Sequence, residues 1–577
     1  MNIAAGGSAI RLSLNWVDYL ILLLYFVVIV WIGYSIHKRQ RSSQDFLLAG
    51  RSMPAWIAGI AFIAANLGAT EVLGMAANGA QIGMSTLHYY LIGAIPGMVF
   101  LGIVMMPFYY GSGVRSVPEF MYKRFGKGAH LTVSICFAVS TILVSGINLY
   151  AMALIMEAML GWSQWLAIAV SAVFVLVYIT LGGLTSAIYN EVMQFFVIIA
   201  ALVPLTVIGL HKVGGWSGLR QSFSGTHMMS AWQGTGMGSV TNPIGADWFG
   251  IIMGLGFVLG FGYWTTNFTE VQRAFSAKDM SAARRTPIIG AFPKMLVGFL
   301  VIVPGLVAAA TMGNLFKNGT LTYNEAIPKL MQTYLPNGSL GIAITGLMAS
   351  FMAGMAANVS SFNTVFTYDI VQDYVRPGRS DKYYLKMGRW VTVVGTIISV
   401  ATAILASQFG NIMTYMQTLF SFFNAPLFAI FILGLCWKRL TPSAGTWGYI
   451  AGIIAPLITY IVYLRSVSSG HPIFQTPTAE TLYGAMISLA ATWIVGALLS
   501  AFTKPKSDAE LEGLTFATGG MKYFRTSKAG KAAIREAVSE GVSMPAAQTG
   551  RLPWWKRPVL LGTIILIASL ALYIPFF

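Results

Sequence analysis

The chain is a succession of long apolar stretches, joined by short segments that carry almost all of its charge. Fourteen such stretches lie near residues 16–36, 53–79, 87–110, 130–157, 163–182, 187–210, 248–269, 286–311, 339–371, 388–407, 411–436, 443–464, 480–502 and 557–576. About 20 apolar residues suffice for a helix to cross the ~30 Å hydrocarbon core. Only structures that satisfy their own backbone hydrogen bonds survive there. The pattern predicts an all-α polytopic membrane protein of about fourteen transmembrane helices. Composition agrees: 10% of residues are charged, against roughly 25% in a soluble domain.

The net charge of +17 is a matter of topology rather than of nucleic-acid binding. With the N-terminus outside, 29 of the 36 lysines and arginines fall in inside segments, six fall outside, and Lys294 is left in the membrane. This bias sets the orientation of a polytopic chain. It predicts both termini extracytoplasmic in the cell membrane, a transmembrane domain over 1–502, a cytoplasmic loop over 503–556 and a final transmembrane helix over 557–577. Within the loop, 507–512 and 528–536 can form short amphipathic helices on the lipid surface; the other reading is a solvated tether. Cys136 and Cys436 lie far apart, no histidines show zinc spacing, and there is no Gly-rich phosphate loop. No enzyme and no cofactor are expected, and the partners are a small-molecule solute and membrane lipid.

Lys294 lies in Ile288-Ile289-Gly290-Ala291-Phe292-Pro293-Lys294-Met295-Leu296-Val297-Gly298. A cation at membrane depth costs at least ~2.5–3.5 kcal/mol, so it usually faces a polar cavity on a solute or ion path. The competing reading is snorkelling to the interface, since Thr286 is only roughly 12 Å away at helical rise.

Two spans look interrupted. The second contains Ala64-Ala65-Asn66-Leu67-Gly68-Ala69-Thr70-Glu71 and the seventh Gly254-Leu255-Gly256-Phe257-Val258-Leu259-Gly260. Their offset of five spans suits two inverted five-helix repeats, about 53–210 and 248–436, with broken first helices at a midplane site. Small residues also serve plain helix packing, but packing does not require the carboxylate of Glu71.

Several motifs carry a resemblance. Pro118-Glu119-Phe120-Met121-Tyr122-Lys123-Arg124-Phe125 follows the third span and Leu181-Gly182-Gly183-Leu184 precedes the sixth. Val271-Gln272-Arg273-Ala274-Phe275-Ser276-Ala277-Lys278, Phe366-Thr367-Tyr368-Asp369-Ile370 and Gly434-Leu435-Cys436-Trp437-Lys438-Arg439 come later, in order and correctly placed between spans. With these motifs the chain resembles the sodium/solute symporter family, within it the sodium–glucose cotransporter branch.

The resemblance implies a sugar pocket. Asn66 falls on a sugar-contacting asparagine, Glu71 on a glutamine or histidine, and Tyr263 and Trp264 on the aromatic pair that closes the inner side. Lys294 falls on the pocket lysine and Gln417 on the pocket glutamine. Such a set suits a pyranose, whose hydroxyls need polar partners and whose ring faces pack on aromatics. There are departures. Tyr90 stands where the branch has a glutamate, His88 lies nearby, and Gly260 replaces a polar residue.

The resemblance also implies a sodium site, built from backbone carbonyls near Ala64 and Leu67 and two consecutive hydroxyl residues of the ninth span. That hydroxyl pair is Ala353-Gly354 here, which leaves Ser350 and Thr70 as the nearest side-chain oxygens, and serines at 353 and 354 are expected to strengthen sodium dependence. Glu191 matches a carboxylate on the inner sodium path. The function implied is secondary active transport of a small polar solute, a hexose by preference, by alternating access, with sodium as the coupling ion by family default. Proton-coupled transport through Glu71, uncoupled sugar or polyol transport, and a membrane sugar sensor are the alternatives.

Overall fold

The computed structural model describes residues 13–37, 42–409, 411–518 and 553–577, the side chains of 37, 159 and 177–182 excepted. Nearly all of this is helix; the one sheet among the described residues is a small hairpin pairing Thr235–Gly236 with Ser239–Val240. Among the described residues, eleven helices are long and apolar enough to cross a membrane, or twelve if the bent pair Gly250–Thr266 and Phe268–Phe275 is one span. Ala55–Asn66 and Gln164–Leu176 are shorter apolar helices. The chain is an integral membrane protein.

The helices that frame the interior are α1 (Ala55–Asn66), α2 (Thr70–Gly111), α3 (Lys127–Leu160), α4 (Gln164–Lys212), α5 (Gly250–Thr266), α6 (Phe268–Phe275), α7 (Met280–Lys317), α8 (Ser339–Val375) and α9 (Ile412–Cys436). Burial sorts the centre from the periphery. The most apolar window of α8 is 94% buried and that of α9 is 72%, whereas that of Pro442–Ser468 is 17%. A helix that is apolar all round and buried is a core element, so α8 is the axle and Pro442–Ser468 faces lipid. Gly183, at φ +52°, breaks α4 into two directions, a backbone state that glycine enters without a Cβ penalty.

Both interrupted spans are broken. α1 ends at Asn66, where Leu67 leaves the helical region at ψ 42°. The freed backbone groups find new partners, as they must in a membrane interior. Ala69 N–H donates to Asn148 Oδ1 of α3 at 2.9 Å, and Ser350 Oγ of α8 donates to the Leu67 carbonyl. The seventh span breaks not within the glycine run, which stays helical from Gly250 to Thr266, but beyond it at Asn267, where ψ is 106° and the chain bends by 46° between α5 and α6. Its side chain caps the new helix by accepting from Thr269 N–H at 3.1 Å, the usual role of asparagine at a helix start.

The last helix, Pro558–Phe576, is tied to the loop that precedes α5. Ala231 N–H donates to the Phe576 carbonyl at 2.8 Å, and His88 bridges Tyr573 Oη at 2.6 Å and the Ala231 carbonyl at 2.7 Å. Residues 508–518 form turns rather than the amphipathic helix that 507–512 allows. Leu511 and Leu514 are buried there, and Phe516 N–H donates to the Leu435 carbonyl at 2.9 Å. The other candidate surface helix, 528–536, lies outside the described residues.

Candidate functional site

Between the two breaks lies a cavity lined by residues of both broken segments. Asn66, Thr70 and Glu71 reach it from the first break. Tyr263 and Trp264 reach it from α5, Lys294 from α7 and Gln417 from α9. Side chains from distant parts of the sequence therefore meet because both helices stop short of crossing intact.

Lys294 is 2% exposed and does not snorkel. Its Nζ lies 2.7 Å from Glu71 Oε1 and donates to Asn66 Oδ1 at 2.6 Å. It also sits 4.8 Å from the centroid of Tyr90 and 5.5 Å from that of Trp264, within cation–π range. The chain of bonds continues. Asn66 Nδ2 donates to Tyr263 Oη at 2.9 Å, and Tyr263 Oη donates to Glu270 Oε1 of α6 at 2.6 Å. Tyr263 packs against Phe420 with the rings tilted by 35° and their centroids 4.6 Å apart. The result is one wall of charge and amide groups and another of aromatic faces. Gln417 Oε1 has no hydrogen-bond partner among the described residues.

Not every residue named from the sequence lines this space. Tyr90 is buried behind Lys294, its ring packed against Gly298, and its neighbour Tyr89 lines the cavity instead. His88 is held by Tyr573 and Ala231, away from the cavity. Glu191 is fully buried in an ion pair with Arg273, whose Nε lies 3.2 Å from Glu191 Oε2. Glu270, Asn148, Asn267 and Asn358 line the cavity and were not anticipated. A carboxylate beside a break is the signal that could have found Glu270, but the seventh apolar stretch ends at 269.

The residues expected around sodium are close together. Ser350 Oγ donates to the Leu67 carbonyl, and Leu67 N–H donates to the Ala64 carbonyl at 3.1 Å. Ala353 is buried and offers no side-chain oxygen, and Gly354 lies against the break itself. A Cβ on Gly354 would meet Asn148 Oδ1 at 2.5 Å and the Gly68 Cα at 2.9 Å. The expectation that serines at both positions strengthen sodium dependence therefore meets a steric obstacle at 354. Glycine here permits close approach of two backbones, and Asn148 fills the remaining space.

The chain is similar to several characterised transporters. It is 29% identical to the sodium/glucose cotransporter of Vibrio parahaemolyticus over 507 residues, covering 84% of this chain and 91% of that one. It is 26% identical to sodium/myo-inositol cotransporter 2 of Homo sapiens, covering 92% and 83%. Among solved structures, a Na+-coupled sialic acid symporter in a substrate-bound outward-open state superposes with a TM-score of 0.71 at 19% identity, over 86% of this chain and all of that one, which shows a common fold. A family model matches residues 46–452, most of the sequence, and by that match the chain belongs to the sodium:solute symporter family.

Proposed function

We propose that the protein is a sodium-coupled symporter of a small polyhydroxylated solute, a hexose by preference, working by alternating access. The observation that carries this is the convergence of Lys294, Glu71, Asn66 and Gln417 with the faces of Tyr263 and Trp264 on one cavity. Hydroxyl groups need the first set and a sugar ring packs on the second. The names of the relatives, which couple sodium to glucose or myo-inositol, point the same way. On this reading the protein moves its solute without making or breaking a covalent bond.

The architecture that goes with this reading has fourteen crossings. Ala55–Asn66 with the first turns of α2 forms one broken span, α4 counts as two spans across Gly183, and α5 with α6 forms the second broken span. Repeats at about 53–210 and 248–436 would then rock about the cavity, within a transmembrane domain over 1–502. Residues 503–556 make a cytoplasmic loop and 557–577 the last span, with both termini outside the cell membrane. A reporter fused after Phe577 is expected to behave as extracytoplasmic and one inserted near Gly519 as cytoplasmic. The reverse at either place would remove the fourteen-span topology.

Uptake of a labelled sugar panel into proteoliposomes tests the function. The expected result is accumulation of a hexose above equilibrium with an inward sodium gradient, and simple equilibration without it. Accumulation driven by a pH gradient alone would replace sodium by the proton. Binding without uptake would make the protein a sensor.

A further inference from the structure

Glu270 stands out by its charge and its unshared oxygen. It is 1% exposed, lines the solute cavity, and accepts through Oε1 from Tyr263 Oη. Its Oε2 has no hydrogen-bond partner among the described residues. The buried ionisable groups around it are Glu71 with Lys294, and Glu191 with Arg273. Each carboxylate in those pairs has its own cation, so Glu270 is the third carboxylate against two cations. An uncompensated buried charge is strongly unfavourable. Asn358 of α8 lines the same cavity; its Nδ2 donates to the Gly354 carbonyl at 2.8 Å, and its Oδ1 has only a 3.5 Å contact from Thr269 Oγ1. Glu270 and Asn358 therefore line the same cavity.

We propose that Glu270 anchors a monovalent-cation subsite inside the solute cavity, with Asn358 Oδ1 as a neutral ligand. A small cation would balance the third carboxylate and occupy both oxygens. A proton on Oε2 would also settle the charge, and sodium binding distinguishes the two. Oxygen donors of this kind suit a hard ion. The same chemistry has two sources, Na+ itself or the protonated amine of a solute. The subsite deepens the symporter reading by naming where its cation, or a cationic group of its solute, is held.

The test uses the full-length protein. Binding of 22Na+ without solute is measured in potassium-balanced buffer, and uptake of a neutral hexose and its 2-amino analogue is compared in proteoliposomes. If Na+ is the source, Glu270→Gln lowers sodium affinity at least about tenfold, because ligand charge sets affinity for such ions. Glu270→Asp keeps the carboxylate and so retains part of the sodium binding, which guards against misfolding of the first variant. If the solute supplies the charge, the wild type binds no 22Na+ but prefers the amino sugar, and Glu270→Gln loses that preference. Unchanged sodium affinity and unchanged sugar preference in a folded Glu270→Gln protein would overturn the subsite. Sodium binding lost in Glu270→Gln, in a protein that takes up no sugar of the panel, would instead leave the subsite standing and remove the sugar reading.

Discussion

Lys294→Ala is expected to abolish uptake while leaving a protein that is measurably less stable. The ammonium is the hub of the site, holding Glu71 at 2.7 Å and Asn66 at 2.6 Å. Removing it strands the Glu71 carboxylate, which is 3% exposed. Breaking a buried pair in this way costs about 3–5 kcal/mol. A site built to bond hydroxyls also loses its orienting donor, and uptake should fall at least about 100-fold. Lys294→Met combined with Glu71→Gln separates the two effects. The double variant keeps shape without net charge, so its thermal unfolding in detergent should return close to that of the wild type while uptake stays absent. A Lys294→Ala protein that accumulates solute normally would take Lys294 out of the pocket.

Arg273→Ala is expected to be the most damaging single change away from the cavity. Its guanidinium is fully buried, pairs with Glu191 of α4 through two nitrogens, and donates from Nη1 to the Thr269 carbonyl at 2.8 Å. It thereby joins α6, just past the second break, to α4. The alanine variant leaves Glu191 buried without a counter-charge, at a cost of about 3–5 kcal/mol. Arg273→Met with Glu191→Leu should recover most of that loss, since buried pairs often exchange for packed apolar groups at little net cost. Fluorescence-monitored unfolding of the three proteins decides the matter, and an Arg273→Ala protein as stable as the wild type would show that the pair contributes nothing.

Much of this was legible in the sequence, for identifiable reasons. Membrane helices announce themselves by length and hydropathy, and Lys294 announced itself because charge is costly at that depth. Asn66 and Glu71 were legible as polar groups on an interrupted helix. Tyr90 was not, because whether a residue lines a cavity or lies one layer behind depends on helix rotation, and here its ring is turned onto Gly298. Asn148 was hidden for a different reason. An asparagine in a long apolar helix gives no hint that it will serve a backbone N–H 79 residues earlier. Gly354 showed only that hydroxyls were missing, not that another side chain had taken their space.

The hydrogen bond from Tyr263 to Glu270 joins residues on opposite sides of the 46° bend at Asn267. A bond that spans a corner works like the crossbar of an open stepladder: while it holds, the angle between the two rails is fixed. Tyr263 Oη has a single proton to donate, and it is committed to Glu270. A solute hydroxyl that takes that proton removes the crossbar. Arrival of cargo and loss of this tie across the bend would then be one event, decided by which acceptor a single phenol serves, while the Arg273–Glu191 pair still holds α6 to α4.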